Sequence, residues 1–199
     1  SGTPSTGHSG LGRTRLSGRS RRPAPAASTT AQTSAGLSSE RWGMIAAMPT
    51  IVQGIQGLRE LAGEHLGHSD YVEVTQEQVD RFAEATGDRQ WIHVDVERAR
   101  RESPFGGPIA HGYLTLSLGP RLVPQVLRVE GVKMGVNYGC DKVRFPSPVP
   151  VGSRLRVGVE VLEVTDVPGG VQAKMRFTFE CEGAEKPACV AENLLRYYE

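Results

Sequence analysis

The most apolar helical stretch of this 199-residue chain, residues 109–127, constrains the fold more than any other feature. Its apolar side chains lie nearly all round the predicted helix, which is typical of a helix buried on most sides. They are Leu114, Leu116, Leu118, Leu122, Val123, Val126 and Leu127. Pro120 and Pro124 must kink or break the helix, so we expect a first segment to about Leu118 and a looser continuation.

Four stretches of alternating apolar and polar residues follow this central helix. They cover residues 132–145, 154–165, 171–182 and 188–198. In the second, the alternation places four apolar residues on one face, as in a half-buried strand: Leu155, Val157, Val159 and Val161. Short turns join the last three strands, which makes them antiparallel. The predicted fold class is therefore α+β, with a curved antiparallel β-sheet wrapped around a long central helix.

The chain before the central helix combines helical and extended patterns. Residues 51–66 carry apolar side chains at helical spacing and predict a short leading helix, while residues 71–75 alternate as a strand does. Thr75 followed by Gln78 is the pattern of a capping box, so a further helix is predicted to begin there. Gly87 is its expected end.

Residues 1–47 differ in composition from the rest of the chain. They are rich in Ser, Thr, Gly, Ala, Pro and Arg, and they cannot bury enough apolar surface to offset the entropy of ordering. We predict a disordered basic tail. A transit peptide, a basic interaction arm, or an upstream or expression remnant before a start at Met44 or Met48 all fit this composition. Residues 48–199 are predicted to form a single domain.

The formal net charge of +1 is divided unevenly along the chain. Six arginines and one glutamate give residues 1–47 a charge of +5, which leaves −4 on residues 48–199. A weakly acidic body argues against nucleic-acid binding, since that needs clustered basic surface on the folded domain. No run approaches the ~20 apolar residues of a membrane span. Neither a nucleic acid nor a membrane is expected as a partner.

The three cysteines, Cys140, Cys181 and Cys189, have no CxxC spacing and no neighbouring group of histidines. They therefore indicate neither a disulfide framework nor a zinc site. We expect free, buried thiols in a reducing compartment, and hence a cytoplasmic protein.

Residues 82–112 hold the side chains that point to chemistry. Asp88 and His93 lie just beyond an amphipathic helix and away from periodic core positions, while His111 and Gly112 open the central helix. An acid, a base and the unpaired N–H groups of a helix start are the parts of an acid/base site for a carbonyl compound. Taken singly, Asp88 is more typical of a turn residue, and His93 of a surface loop. The prediction depends on their occurring together.

A metal site is a competing interpretation of the same region. Asp88, His93, Asp95 and His111 offer ligand atoms, but their spacing matches neither HExxH nor a closed zinc pattern. We therefore predict no metal and no cofactor.

The motifs of this region resemble those of a known family. FAEATGD, then His93 and Asp95, then PFGGPIAHG are similar to the hydratase motif of the MaoC-like dehydratases, which include the (R)-specific enoyl-CoA hydratases. KVRFPSPVPVGSRLRV resembles the later strand pair of that family, and the resemblance extends over residues 58–198. It implies a hotdog fold, a dimer or double-hotdog assembly, and reversible hydration of a trans-2-enoyl thioester to the (R)-3-hydroxyacyl thioester. We expect a homodimer and a CoA thioester, trans-2-enoyl-CoA, as the substrate.

The resemblance also implies roles for particular residues. Asp88 and His93 correspond to the catalytic pair, and Gly112 to the backbone N–H that polarises the thioester carbonyl. We expect His111 to brace the loop by hydrogen bonding. Gln90 and Trp91 stand where the family often has Asn-Pro, and we expect them to affect how the loop is braced or how the acyl chain enters.

Two further points follow from the resemblance. A serine found on the central helix of some members corresponds here to Pro120, so any hydrogen bond made by that serine is absent. The hotdog fold also carries thioesterases and domains that bind acyl thioesters without turnover. An acyl-CoA thioesterase and a non-catalytic acyl-thioester-binding domain therefore stay open as alternatives.

Overall fold

The computed structural model describes residues 48–199, and the predicted disordered tail lies outside the described residues. The first half of the described chain contains four helices and three short strands. Its strands are β1 Thr50–Gln53, β2 His65–His68 and β3 Val72–Glu73. Its helices are α1 Gly54–Arg59, α2 Gln76–Thr86, α3 Trp91–Val94 and α4 Val96–Glu102.

The second half begins with a broken helical segment and continues as strands. The helical segment consists of α5 Gly112–Ser117, α6 Gly119–Leu122 and a 3-10 turn, Val123–Gln125. The strands are β4 Leu127–Glu130, β5 Met134–Arg144, β6 Arg154–Val167, β7 Gly170–Cys181 and β8 Cys189–Tyr198.

The strands form one large antiparallel sheet and one small parallel pair. The large sheet has the order β2-β6-β7-β8-β5, with β3 also paired to β6. β1 and β4 pair in parallel beside it. The predicted alternation of β6 is confirmed, because Leu155, Val157, Val159 and Val161 are fully buried. β7 alternates along its whole length, so the core lies between these two strands and the broken helical segment.

The central helix is shorter than predicted. It begins at Gly112 because the chain before it is extended: Ile109 forms a β-bridge with Pro150, and the N–H of Ala110 donates to the carbonyl of Val149 at 2.8 Å. Pro120 lies in the first turn of α6, and Pro124 lies in the 3-10 turn. Neither proline has an N–H to donate to the preceding turn, so the regular helix ends near Leu118 and the chain continues as short helical turns. The expected break there is confirmed.

The predicted leading helix over residues 51–66 is also largely wrong. Only Gly54–Arg59 is helical, and the residues before it form β1 and pair with β4. Gly54 has a φ of +64° and Gly63 a φ of +89°, values that residues with a side chain rarely adopt. Gly54 follows the end of β1, and Gly63 lies in the turn between α1 and β2. Ile55 and Leu58 are still buried in the core. The apolar spacing therefore predicted which residues are buried, but it overestimated the length of the helix.

Helix α2 agrees with the sequence in detail. The Thr75 hydroxyl accepts from the N–H of Gln78, and the Gln78 side chain accepts from the N–H of Thr75, which completes the capping box. Gly87 ends the helix in the left-handed region, with a φ of +78°. Val79 and Ala83 are buried, so this helix is anchored to the core immediately before Asp88.

Two further predictions concern the state of the cysteines and the presence of a membrane-spanning helix. All three thiols are free, as predicted, and Cys181 and Cys189 are buried. Cys140 is exposed, contrary to prediction, because β5 lies at the edge of the sheet. Among residues 48–199, no helix is long and apolar enough to cross a membrane.

Candidate active site

Asp88 and His93 are held at the end of α2 and on the one-turn helix α3. Gly87 turns the chain out of α2, which places Asp88 in an exposed loop. His93 lies on α3 with its side chain turned inward, and only 6% of the residue is exposed. The structure therefore gives the two residues opposite surroundings, an exposed carboxylate and a buried imidazole.

A hydrogen bond fixes the tautomer of His93. Its Nδ1 lies 2.6 Å from the carbonyl oxygen of Ile109. Since a carbonyl oxygen can only accept, Nδ1 carries the hydrogen and donates it. Nε2 of the neutral ring is consequently left with a lone pair, which is the state of a general base or of a water acceptor.

Burial lowers the pKa of His93 from its ordinary value of 6.5, because the charged imidazolium is poorly solvated there. The hydrogen bond to Ile109 and the charge of Asp88 oppose this effect, while the neighbouring His111 adds to it. The net direction is downward, so His93 is neutral at pH 7.

His111 stacks on His93 and reaches the Asp88 loop. The two ring centroids are 3.9 Å apart, with 28° between the ring planes. His111 Nε2 donates to the backbone carbonyl of Asp88 at 3.0 Å, and the ring of Phe82 lies on it at a centroid distance of 5.0 Å. Only 2% of His111 is exposed, and within residues 48–199 its Nδ1 has no partner.

Gly112 is the first residue of α5, where N–H groups have no acceptor within the helix. A Cβ at this position would lie 3.1 Å from Cγ of Phe145 and 3.2 Å from both Cδ atoms. These separations are shorter than ordinary contacts between carbon atoms. A Cβ at residue 112 would therefore require the Phe145 ring to move.

A cavity of about 340 Å³ joins His93 to Gly112. Thr115, Phe145 and Val149 are among the residues that complete its wall. The structure thus brings His93 and Gly112 to one space, with Asp88 and His111 beside His93. Gln90 and Trp91 are absent from this wall: Gln90 is exposed, and the Trp91 ring lies under the Arg98 guanidinium at 4.3 Å.

The same cluster is also a candidate metal site. Asp88, His93 and His111 each offer a ligand atom, and these atoms lie within 4.8 Å of one another. However, imidazole lone pairs lie in the ring plane, so two stacked rings direct them side by side rather than toward one point. His111 Nε2 and His93 Nδ1 donate to carbonyl groups, so the other nitrogen of each ring is the one that could bind a ligand.

Several contacts of the site had no usable signal in the sequence. The carbonyl of Ile109 is a backbone group, so residue type does not predict it. Phe145 and Thr115 were predicted only as part of strand and helix patterns. Gln76, the first residue of α2, donates from Nε2 to the carbonyl of His93 at 2.8 Å, although 17 residues separate them.

Pro120 lies away from this cavity. It contributes to a second, mostly apolar cavity of about 540 Å³ between the broken helical segment and the strands β5 and β8. The proline that replaces the family's serine therefore does not touch the wall that holds His93 and Gly112.

A family profile described as the MaoC like domain matches residues 58–178. Among curated proteins, the 3-hydroxyacyl-thioester dehydratase Z of Mycobacterium tuberculosis (strain ATCC 25618 / H37Rv) is 55% identical over 146 residues. That alignment covers 73% of this chain and 96% of the relative. Nodulation protein N of Rhizobium leguminosarum bv. viciae is 46% identical over 132 residues, with 65% of this chain and 81% of the relative covered.

A solved structure gives the same result at the level of the fold. The unliganded R-hydratase of Pseudomonas aeruginosa superposes with a TM-score of 0.59 at 26% identity. The alignment covers 73% of this chain and 86% of that one.

Proposed function

This chain belongs to the MaoC-like dehydratases and is a hydro-lyase with their hotdog fold, and from that premise we propose that it hydrates trans-2-enoyl-CoA reversibly to (R)-3-hydroxyacyl-CoA. The observation that carries the proposal is the fixed tautomer of His93. Its Nδ1 hydrogen is donated to Ile109, which leaves a basic Nε2, and His93 lines the same cavity as Gly112, the first residue of α5.

In the proposed reaction, Asp88 and His93 hold one water molecule between them. His93 Nε2 accepts one hydrogen of the water, and the Asp88 carboxylate accepts the other. The water oxygen forms a bond to Cβ of the enoyl group while its proton passes to His93. The electron pair of the double bond moves toward the thioester oxygen, and the proton then returns to Cα. Every atom of the water ends in the product, and His93 is neutral again.

Gly112 is proposed to stabilise the oxygen on which negative charge develops. Its N–H lies in the first turn of α5, where it is free to donate to an enolate oxygen. The ring of Phe145 lies against this residue, where a Cβ would come within 3.1–3.2 Å of its atoms. A fixed donor aimed at developing charge stabilises it without the reorganisation that solvent would require.

His111 is proposed to support the site without touching the substrate. Its Nε2 donates to the carbonyl of Asp88, so it holds the loop that carries the carboxylate. Gln90 ends the same loop and Trp91 begins α3, and both lie outside the cavity wall, which supports a bracing role for them over a role in admitting the acyl chain.

The substrate class and a homodimer are parts of the same proposal. Ile109, Phe145 and Val149 give the cavity apolar walls that suit a short acyl chain. The name of one 36%-identical relative, the 3-hydroxybutyryl-CoA dehydratase of Methylorubrum extorquens, supports a CoA thioester. β5 is an edge strand whose exposed side chains include Met134, Val136 and Tyr138, and an apolar edge of this kind favours pairing with a second copy.

The direct test uses the full chain with crotonyl-CoA. Hydration is followed as loss of the absorbance of the conjugated thioester, and a stereospecific dehydrogenase reports the (R) configuration of the product. Asp88→Asn and His93→Gln should each lower kcat by at least about a thousandfold while circular dichroism stays unchanged. Wild-type rates in both variants would refute the site. Release of free thiol without hydration would instead identify a thioesterase.

A further inference from the structure

Helix α3, which carries His93, is too short to hold itself in place. It consists of one turn, with the N–H of His93 donating to Gln90 and the N–H of Asp95 donating to Trp91, both at 3.0 Å. A single helical turn fixes many backbone angles for few hydrogen bonds and is unstable in isolation. The position of His93 must therefore be set by contacts from other parts of the chain.

One set of contacts comes from the extended segment before α5. The N–H of Ile109 donates to the carbonyl of Ile92 at 3.1 Å, and the carbonyl of Ile109 accepts from His93 Nδ1 at 2.6 Å. These two bonds fix the imidazole side of α3. They leave the carbonyl of His93, at the far side of the turn, without a partner inside the helix.

Gln76 supplies that partner from the start of α2. Its Nε2 donates one hydrogen to the carbonyl of His93 and the other to Oδ1 of Asp80, each at 2.8 Å. A rotated amide would turn its oxygen toward two other oxygens, so only one orientation of the side chain is compatible with these contacts. Gln76 thus links the well-anchored helix α2 to the peptide unit that carries His93.

We propose that Gln76 is a positioning residue for the hydration reaction, because it holds the backbone of His93 so that Nε2 stays directed at the reacting water. This inference rests on the proposed function. It concerns the rate of the chemical step, since a displacement of about 1 Å can lower a rate by two orders of magnitude.

The location of Gln76 separates this role from substrate binding. It is not part of the wall of the cavity that holds His93 and Gly112. It lines a different cavity of about 320 Å³, together with Val96 and Arg100. The hydrogen bond of Gln76 to the site is the one to His93, so a change at Gln76 should act on kcat and leave KM nearly unchanged.

The test compares Gln76→Met with Asp80→Ala. Methionine has a similar length but no hydrogen to donate, whereas Asp80→Ala removes the second contact of Gln76 and keeps the one to His93. With crotonyl-CoA, Gln76→Met should lower kcat about tenfold with KM within about twofold of the wild type, and Asp80→Ala should keep the wild-type kcat. Gln76→Asn, which keeps the amide but is too short to reach His93, should behave as Gln76→Met does.

A spectroscopic measurement tests the same contact without turnover. Long-range ¹H–¹⁵N correlation spectra of the histidine rings should show the Nδ1–H tautomer of His93 in the wild type and in Asp80→Ala. Gln76→Met should add signal from the Nε2–H tautomer. An unchanged His93 spectrum and kcat in Gln76→Met, with an active wild type, would overturn the role of Gln76 alone. If Asp80→Ala lowers kcat as much as Gln76→Met does, the role of Gln76 would also be overturned, because both losses would then come from a less stable α2. A wild type that hydrates no enoyl thioester would instead refute the proposed function, while the tautomer change still tests the contact.

Discussion

Gly112→Ala tests the tightest feature of the site, the contact between Gly112 and the ring of Phe145. The added methyl carbon would lie 3.1–3.2 Å from three ring atoms. An ordinary contact between carbon atoms is about 3.5–4.0 Å, so the ring must move by roughly half an ångström. Overfilling a packed site costs about 1–3 kcal/mol. Because Phe145 is 41% exposed and its ring can move toward solvent, we expect a loss near the lower end, about 1 kcal/mol.

The effect on activity should be much larger than the effect on stability. The methyl group would occupy the cavity between the proposed oxyanion donor and its ligand. Losing such a donor typically costs about a hundredfold or more in kcat. We therefore expect kcat/KM for crotonyl-CoA to fall about a hundredfold, measured by the absorbance of the conjugated thioester, while urea unfolding reports the loss of about 1 kcal/mol.

Two further variants make the reasoning refutable. Gly119→Ala is a matched control, because its methyl group would meet Phe177 and Phe179 at an ordinary 3.8 Å, and it should leave activity unchanged. Gly112→Ala combined with Phe145→Leu should recover stability but not activity, since the methyl group still blocks the donor. Recovery of both properties in the double variant would show that only the ring position matters. Activity of Gly112→Ala within about threefold of the wild type would show that the methyl group does not block the donor, and would refute this reasoning.

The remaining predictions concern pH and helix capping. Because burial lowers the pKa of His93 below 6.5, the acidic limb of kcat/KM against pH should have its midpoint below 6.5. An acidic limb centred above 6.5 would contradict the neutral base. The unfolded chain binds a proton at His93 more readily than the folded chain does, so the free energy of unfolding should decrease as pH falls through 6.5 toward the lower folded value. Denaturant melts at several pH values should show this decrease in the wild type and less of it in His93→Gln. Thr75→Ala removes one half of the capping box and should lower the free energy of unfolding by about 1 kcal/mol in the same melts; a change below about 0.3 kcal/mol would show that the cap contributes little.

The parts of the fold that were predictable from the sequence are those set by local rules. The capping box at Thr75 and the left-handed end at Gly87 involve only neighbouring residues, and both occur in the structure. The alternation of β6 follows from the two-residue period of a strand. In contrast, β1 is a strand only because β4 lies beside it, and that pairing joins residues far apart in sequence.

The residues of the candidate site were predictable from the sequence, but their arrangement in space was not. Asp88, His93, His111 and Gly112 were identified from spacing and resemblance, and they lie together. The groups that fix the tautomers are the backbone carbonyls of Ile109 and Asp88, and every residue type has such a carbonyl. Pattern analysis therefore suggests which side chains meet, whereas the direction of each lone pair requires coordinates.

Each of the two histidines hydrogen-bonds to the backbone of the segment that carries the other one, residues 88–93 and residues 109–111, and this explains why both are buried. His93 lies on the first segment and donates to the backbone of Ile109, which precedes His111. His111 lies on the second segment and donates to the backbone of Asp88, which precedes His93. A proton added to His93 would place a charge 3.9 Å from the His111 ring, on a residue of which only 6% is exposed. Burial thus favours the neutral form of His93, and each crossed hydrogen bond fixes which nitrogen of its ring carries the donated hydrogen. The same contacts that close the fold here leave His93 Nε2 with the lone pair that the proposed reaction requires.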